Sequence, residues 1–345
     1  MTQPAGPLKA LASEFQMTGQ AGVRTAWAAG ERLLARQRKR KGDPVTGWLN
    51  LIKPLDMTST DAVAILKRKY NAAKVGHGGT LDPLADGILP IAFGEATKTV
   101  QWAMDAEKEY VFTIRWGIST DSQDAEGEVA ATSDARPTRE AVAEALKAYV
   151  GTIEQVPPKY SAIKVNGERA YDLAREGEDF ELKPREVEVY AAEILGAPDR
   201  DHTVIHVTSG KGFYVRAMAR DLAFDLGCEG HISQLQRTRV GNFGSATAVP
   251  LSRIQETDDR EELLGFLQPV QAILTGIPEI GIGRDDAAQI RHGQGILLMP
   301  HLVERWRAER AGDDRSALVT CDGEAVALGE VRAGRFEPAR VFAAS

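Results

Sequence analysis

The sequence predicts an α+β fold: a mostly antiparallel mixed sheet with flanking helices, followed by a small β-rich C-terminal domain. Three observations lead there. Helical and strand patterns alternate irregularly, strand-like runs follow one another as hairpin-like pairs, and the tail beyond position 275 is short strands punctuated by glycine. At 345 residues there is room for about two domains.

Residues 1–45 differ in composition from the rest. Ala, Gly, Gln and Thr are common there, and the segment closes on Arg36-Gln37-Arg38-Lys39-Arg40-Lys41. The expectation is a mobile basic extension able to reach phosphates without reading sequence. Regular structure is expected from Gly47, where Trp48–Lys53 has strand composition and Pro54 halts it. Thr58 and Asp61 then form a capping-box start for a helix carrying Ala62, Val63, Ile65 and Leu66. Tyr110 to Trp116 alternates, with Tyr110, Phe112, Ile114 and Trp116 on one strand face. Pro137-Thr138 opens a helix with an apolar stripe through Val142, Leu146 and Tyr149, and Gly151 is placed to end it. Arg185–Leu195 and Thr203–Thr208 read as strands. Gly212-Phe213-Tyr214-Val215 leads into a helix carrying Met218, Leu222 and Leu226, stopped by Gly227. Residues 253–274 are acidic and helical and are expected to link the two domains. Ala317–Thr320, Ala325–Val331 and Val341–Ala343 follow as short strands.

Composition excludes several classes. The formal net charge of −7 argues against a protein that simply coats nucleic acid, although a basic cleft can sit on an acidic whole. Cys228 and Cys321 are far apart and lack CxxC spacing, so neither a disulfide framework nor a structural zinc site is expected. No apolar run reaches membrane-spanning length and no signal peptide opens the chain, so a cytoplasmic protein is expected.

The unusual segment is Lys74-Val75-Gly76-His77-Gly78-Gly79-Thr80-Leu81-Asp82-Pro83-Leu84-Ala85-Asp86-Gly87. Glycines let a backbone approach a ligand or turn sharply, and Pro83 keeps Asp82 out of the helical region. A carboxylate held that way can be aimed. An Asp-Pro turn closed by an Asx hydrogen bond explains the spacing equally well. The glycines match neither GxxxxGK[ST] nor GxGxxG, and His77 has no HExxH or HxxxH partner. Nucleotide-loop and zinc chemistry are therefore not expected.

The run from Gly76 to Pro90 closely resembles the catalytic loop of the bacterial TruB-type tRNA pseudouridine synthases. Three further segments match in order: Lys53-Pro54 with Thr58-Ser59; Lys159-Tyr160-Ser161-Ala162-Ile163-Lys164 with Gly167, Ala170-Tyr171 and Ala174-Arg175; and Gly212-Phe213-Tyr214-Val215-Arg216 with Asp221-Leu222, then Leu235, Arg237 and Thr238. Together they cover about residues 46 to 250. The tail resembles, more loosely, the PUA-like domain of bacterial members. The resemblance implies that Asp82 is the catalytic carboxylate, acting on a flipped uridine without a cofactor. It implies that Tyr110 packs on the target base, that Arg216 pairs with and orients Asp82, and that His77 fills the gap left in the RNA. Tyr214 and Leu235 would line the pocket, and Lys53 would lie near it. The implied substrate is uridine 55 in the T loop of tRNA, bound through the T arm by a monomer that needs no obligate protein partner and no metal. Boundaries of 46–252 for the catalytic domain, 253–274 for the linker and 275–345 for the PUA-like RNA-binding domain follow.

The chain departs from the family pattern in three places. Its N-terminal lead is longer. Gly78 stands where many members have threonine, which reads as a more permissive position. Asp86 replaces a common threonine or serine and adds a negative charge near RNA. Three other readings compete: a guide-RNA-dependent synthase of the archaeal and eukaryotic type, an RNA-binding or folding module without catalysis, and an aspartate-dependent hydrolase. The tail is short for the first. Retention of Asp82, Tyr110 and Arg216 argues against the second, and no base or metal motif near Asp82 supports the third.

Overall fold

The computed structural model describes residues 42–344 apart from positions 162 and 166. The basic stretch 36–41, with the rest of the expected extension up to position 41, lies outside the described residues. Backbone pairing starts at Asp43, which bonds Asn71 and Ala73, and Val45 is already buried.

The chain opens with β1 (Gly47–Lys53), helix α1 (Ser59–Lys69), the short strand β2 (Val75–His77) and β3 (Ala85–Phe93). Helix α2 (Val100–Asp105) leads into β4 (Lys108–Trp116), after which β5 (Ile118–Thr120) and β6 (Val129–Thr132) form a separate hairpin. Next come α3 (Arg139–Leu146), β7 (Gly151–Gln155), the small hairpin of β8 (Lys164–Val165) and β9 (Glu168–Arg169), and α4 (Ala170–Arg175). β10 (Arg185–Asp199), β11 (His202–Ser209), α5 (Val215–Asp225), β12 (Gly230–Val240) and β13 (Val249–Pro250) complete the main part. Strands β13-β1-β3-β12-β4-β11-β10-β7 lie side by side in that order, with β2 joined to β3. Only β1/β13 and β3/β12 run parallel within this sheet, so the expected mostly antiparallel mixed sheet is what forms.

Local chemistry explains the elements. Thr58 caps α1 as a full capping box, accepting from Asp61 N–H at 3.0 Å while the Asp61 carboxylate accepts from Thr58 N–H. On β4, Phe112, Ile114 and Trp116 are buried on the side where α3 and α5 pack, through Val142, Leu146, Met218 and Leu222. Gly151 does not end the preceding helix, contrary to the pattern reading. That helix tightens to a 3-10 turn over Lys147–Tyr149, and Gly151, at φ +109°, opens β7. The stripe itself holds, because Val142, Leu146 and Tyr149 are all buried.

Helices α6 (Leu251–Glu256) and α7 (Arg260–Gly265) lie in the stretch expected to be a linker. They pack Leu251, Ile254 and Leu263 with Leu49, Leu51, Leu66 and Tyr70. The tail forms β14 (Glu279–Gly281), α8 (Arg284–Arg291), β15 (Ile296–Leu297), α9 (Pro300–Glu309), β16 (Ser316–Cys321), β17 (Glu324–Arg332) and β18 (Arg335–Val341). Five of these are strands, in the order β14-β16-β17-β18-β15. The last strand ends at Val341 where the pattern reading had one beginning. Pro338 and the charges of Arg335–Arg340 disguise it, and an irregularity in register beside Gly329 accommodates the proline. This sheet has its own core around Trp306, Val319 and Phe336. Its Leu318, Leu328 and Phe342 also join Trp48, Ile88 and Phe243 in a core shared with the main sheet. No helix among the described residues is long and apolar enough to cross a membrane.

Gly87 sits where β3 meets β12. At φ +100° its missing Cβ would fall 2.3 Å from the Arg237 carbonyl oxygen, so backbone strain and overlap both oppose any side chain. We expect Gly87→Ala to destabilise the fold by about 3 kcal/mol, measured as a shift in urea midpoint at unchanged slope. A midpoint within error of the parent would show that β3 and β12 do not need this close approach.

Candidate active site

The glycine-rich loop leaves β2 at His77 and returns to the sheet at Ala85. Buried Ser59, at the start of α1, holds it from one side: its hydroxyl accepts from Leu81 N–H at 2.8 Å and donates to Leu81 C=O at 3.0 Å. Gly78 N–H donates to Pro90 C=O at 2.8 Å. Position 78 is tight rather than permissive, because a Cβ there would lie 2.5 Å from the Ala103 Cβ on α2. Asp82 C=O accepts from Ala85 N–H at 3.1 Å, closing the Asp-Pro turn. The turn and the aimed carboxylate therefore coexist.

Arg216, in the first turn of α5, reaches this loop. Its Nη2 lies 2.9 Å from Asp82 Oδ2 and its Nη1 3.3 Å from Asp124 Oδ2. The same guanidinium donates to the carbonyls of Ser122 at 3.1 Å and Tyr160 at 2.8 Å. Arg216 and Asp124 side chains are 8% and 5% exposed, whereas Asp82 is 37% exposed. The cation is sealed in and the carboxylate faces the solvent side. A cation in the first turn of a helix is unfavourable with respect to the helix dipole, and two carboxylates with two carbonyls offset that. Asp124 was not singled out in the sequence, where Ser122-Gln123-Asp124-Ala125-Glu126 reads as an ordinary polar turn.

Arg237 on β12 is a second buried guanidinium. It donates to the carbonyls of Ile88 at 2.8 Å, Gly79 at 3.2 Å and Thr80 at 3.3 Å. Tyr110 lies opposite it in the β4/β12 register, and the nearby Tyr110 phenol favours the charged guanidinium against the burial that opposes it. Sequence reading placed Arg237 in a motif but gave it no task. Its alternation with Arg239 resembles a solvated strand face.

Tyr110 and Leu235 share one cluster, and Tyr214 lies near Asp82. Tyr110 and Leu235 are half-buried against the α3/α5 core, on adjacent strands. Tyr214 caps the start of α5, and the buried Gln155 amide brackets its backbone, accepting from its N–H at 2.8 Å and donating to its C=O at 3.1 Å. Burial pushes the Tyr214 phenol up, and nearby Asp82 adds to this. Lys53 is fully buried, and its ammonium donates to Pro54 C=O at 2.7 Å and Met57 C=O at 2.8 Å. It braces the turn after β1 rather than facing outward. Burial pulls the Lys53 ammonium below its usual range, opposed first by Asp86 and then by Asp82. Asp86 thus acts as a counter-charge for a buried lysine. His77 is half-buried at the loop's entrance. Burial holds its imidazole below the ordinary value of 6.5, Arg237 adds to this, and Nδ1 is buried without a hydrogen-bond partner.

Comparisons with known proteins agree with one another. Residues 67–215 match the family described as "TruB family pseudouridylate synthase (N terminal domain)", and residues 216–275 match "tRNA pseudouridylate synthase B C-terminal domain". The chain is 50% identical over 305 residues to a protein of Caulobacter sp. (strain K31) named tRNA pseudouridine synthase B, covering 88% of this chain and 98% of that one. A protein of the same name from Bradyrhizobium diazoefficiens is 49% identical, with 89% and 88% covered. Among solved structures, a Cbf5-Nop10-Gar1 complex contains a chain that is 25% identical with a TM-score of 0.65, covering 87% of this chain and 85% of that one.

The depressed imidazole of His77 gives a pH signature in stability. The unfolded chain takes a proton near the ordinary value while the folded side chain resists it. Stability tied to neutral His77 is complete above that value and is lost as pH falls through the lower folded value. Between pH 7 and pH 5 the urea midpoint of His77→Gln should therefore fall less than that of the parent. Equal falls would refute the assignment.

Proposed function

The chain belongs to the TruB family of pseudouridylate synthases, and on that basis we propose that it isomerises uridine 55 in the T loop of tRNA, with Asp82 as nucleophile. The observation that carries this reading is the 2.9 Å pair between buried Arg216 and accessible Asp82, on a loop that Ser59, Arg216 and Arg237 all hold. A carboxylate so aimed can attack a nucleotide drawn out of its stack. The C1′–N1 bond breaks, the base turns, a C5–C1′ bond forms, the proton on C5 is lost to solvent or a nearby base, and N1 takes up a proton from solvent. Release of the carboxylate regenerates the enzyme, so no cofactor enters the balance.

Tyr110 and Leu235 would flank the base, with Tyr214 close to the carboxylate. His77, kept neutral by burial, is suited to stacking in the gap that the base leaves. Residues 46–252 would form the catalytic domain, 253–274 the joining helices, and 275–345 a PUA-like RNA-binding domain. We read the protein as a cytoplasmic monomer that binds the T arm unaided. Near-complete coverage of the bacterial relatives supports a stand-alone enzyme, whereas the Cbf5 neighbour was solved with Nop10 and Gar1.

Tritium release from C5-labelled uridine in a T-arm transcript tests the reading. Asp82→Asn should lower release by on the order of 10³-fold or more. Arg216→Lys should lower it by on the order of 10²-fold with little change in RNA affinity, because a point charge cannot replace the planar fork. Equal release by the Asn variant would refute Asp82. RNA binding without release by the parent would favour a binding module instead.

A further inference from the structure

The loop that carries Asp82 is held by Ser59 at Leu81 and by Arg237 at Gly79 and Thr80. Its entry at Gly78 rests on a further support, the six-residue helix α2. Ala103 of α2 is fully buried, and a Cβ at position 78 would lie 2.5 Å from the Ala103 Cβ. Gly78 does not have the positive φ that calls for glycine, unlike Gly79 beside it at φ +126°. The next nearest atom to such a Cβ, Pro90 Cβ at 3.4 Å, would be an ordinary contact. Packing against Ala103, not backbone conformation, therefore demands a glycine there.

So short a helix takes its position from its surroundings rather than from its own hydrogen bonds. Just before it, the Trp48 indole N–H donates to Thr99 Oγ1 at 3.1 Å. From the C-terminal sheet, β18 and the residues after it reach the same segment. The Arg340 guanidinium lies 4.9 Å from the Trp102 ring centroid and donates to Lys98 C=O. The Lys98 ammonium donates to Val341 C=O at 2.7 Å and to the Glu95 carboxylate at 2.6 Å. That carboxylate also accepts from Ala343 N–H at 2.7 Å. Phe342 is 1% exposed, in the core that Trp48, Ala96 and Ala103 share. Partly exposed charges of this kind add little to stability. What they fix is where α2 sits, and through Ala103 where Gly78 stops.

We propose that Ala103 and Arg340 are positioning residues for the reaction: the chain at 340–343 holds α2 against Gly78, and α2 in turn holds the loop that presents Asp82. The proposal rests on the reading of Asp82 given above. It makes the C-terminal sheet a brace for the reacting loop, acting on the protein and not on the RNA.

Three measurements test it: single-turnover tritium release from saturating T-arm hairpin, hairpin affinity by fluorescence anisotropy, and amide hydrogen exchange across residues 76–85. Gly78→Ala must shift the loop by about 1 Å to reach ordinary carbon–carbon contact, and its rate constant should fall on the order of 10²-fold. Ala103→Gly clears that space, so Gly78→Ala/Ala103→Gly should recover on the order of tenfold or more of the loss. Arg340→Ala should slow release about tenfold and speed exchange in the loop, at the parent's hairpin affinity. Arg340→Lys should keep most of the rate, because an ammonium can also sit over the indole. A parent-like rate in Gly78→Ala, no rescue by Ala103→Gly, or parent-like loop exchange in Arg340→Ala would each overturn the proposal. So would an Arg340→Ala variant that loses hairpin affinity in place of rate, since that marks contact with RNA. A parent that releases no tritium from the hairpin would strike the catalytic reading instead, and loop exchange would still decide whether the brace exists.

Discussion

Arg237 carries its charge on β12 sealed from water, with no carboxylate in ion-pairing range among the described residues. Removing a guanidinium from water costs several kcal/mol, and what offsets that here is a set of carbonyls on the loop and on β3. The backbone of Gly79 and Thr80 must therefore present its oxygens inward. Asp82 is only two residues further on, so its direction is largely settled by what lies beneath it. Arg216 then meets the carboxylate from the opposite side, and Asp124 steadies Arg216 in turn. Removing one member of such a buried set leaves the others uncompensated, which is why these residues act as a unit.

The Arg237 charge is also felt by its buried neighbours. Burial lowers the Lys53, His77 and Lys108 side chains below their ordinary values, and Arg237 adds to each; Lys108 is pushed down to about 8. Lys108 answers by donating to the carbonyls of Met104 and Ala106, at the end of α2. Asp86, which in isolation looks unhelpful beside RNA, offsets part of the cost of keeping Lys53 charged.

Much of this was legible in the sequence, because the loop glycines, the Asp-Pro pair and the ordered motifs carry local signatures. The mixed sheet was legible too, through β4 and its alternating face. What escaped is tertiary. Asp124 looks like a turn residue until Arg216 arrives from α5. Arg237 looks solvated until β3 covers it. Gly78 looks permissive until Ala103 is seen against it. Strand β3 itself is hidden by Gly87 and Pro90, residues that weaken a strand pattern although both are paired with β1 here. Gly151 and Pro338 misled for the same reason: each is a local breaker whose effect the surrounding sheet absorbs.

The Arg237 clamp also has a consequence in time. Its hydrogen-bond partner at Thr80 precedes it by 157 residues, and β3 cannot gain its parallel neighbour before β12 exists. At ribosomal rates of about 5–20 residues per second, roughly eight to thirty seconds separate synthesis of the loop from synthesis of its clamp. A nascent chain thus carries Asp82 well before the guanidinium that clamps its loop exists, and the loop is fixed from that side only when a late strand slots into the middle of the sheet. Such late, non-local closure is the slow kind of folding step.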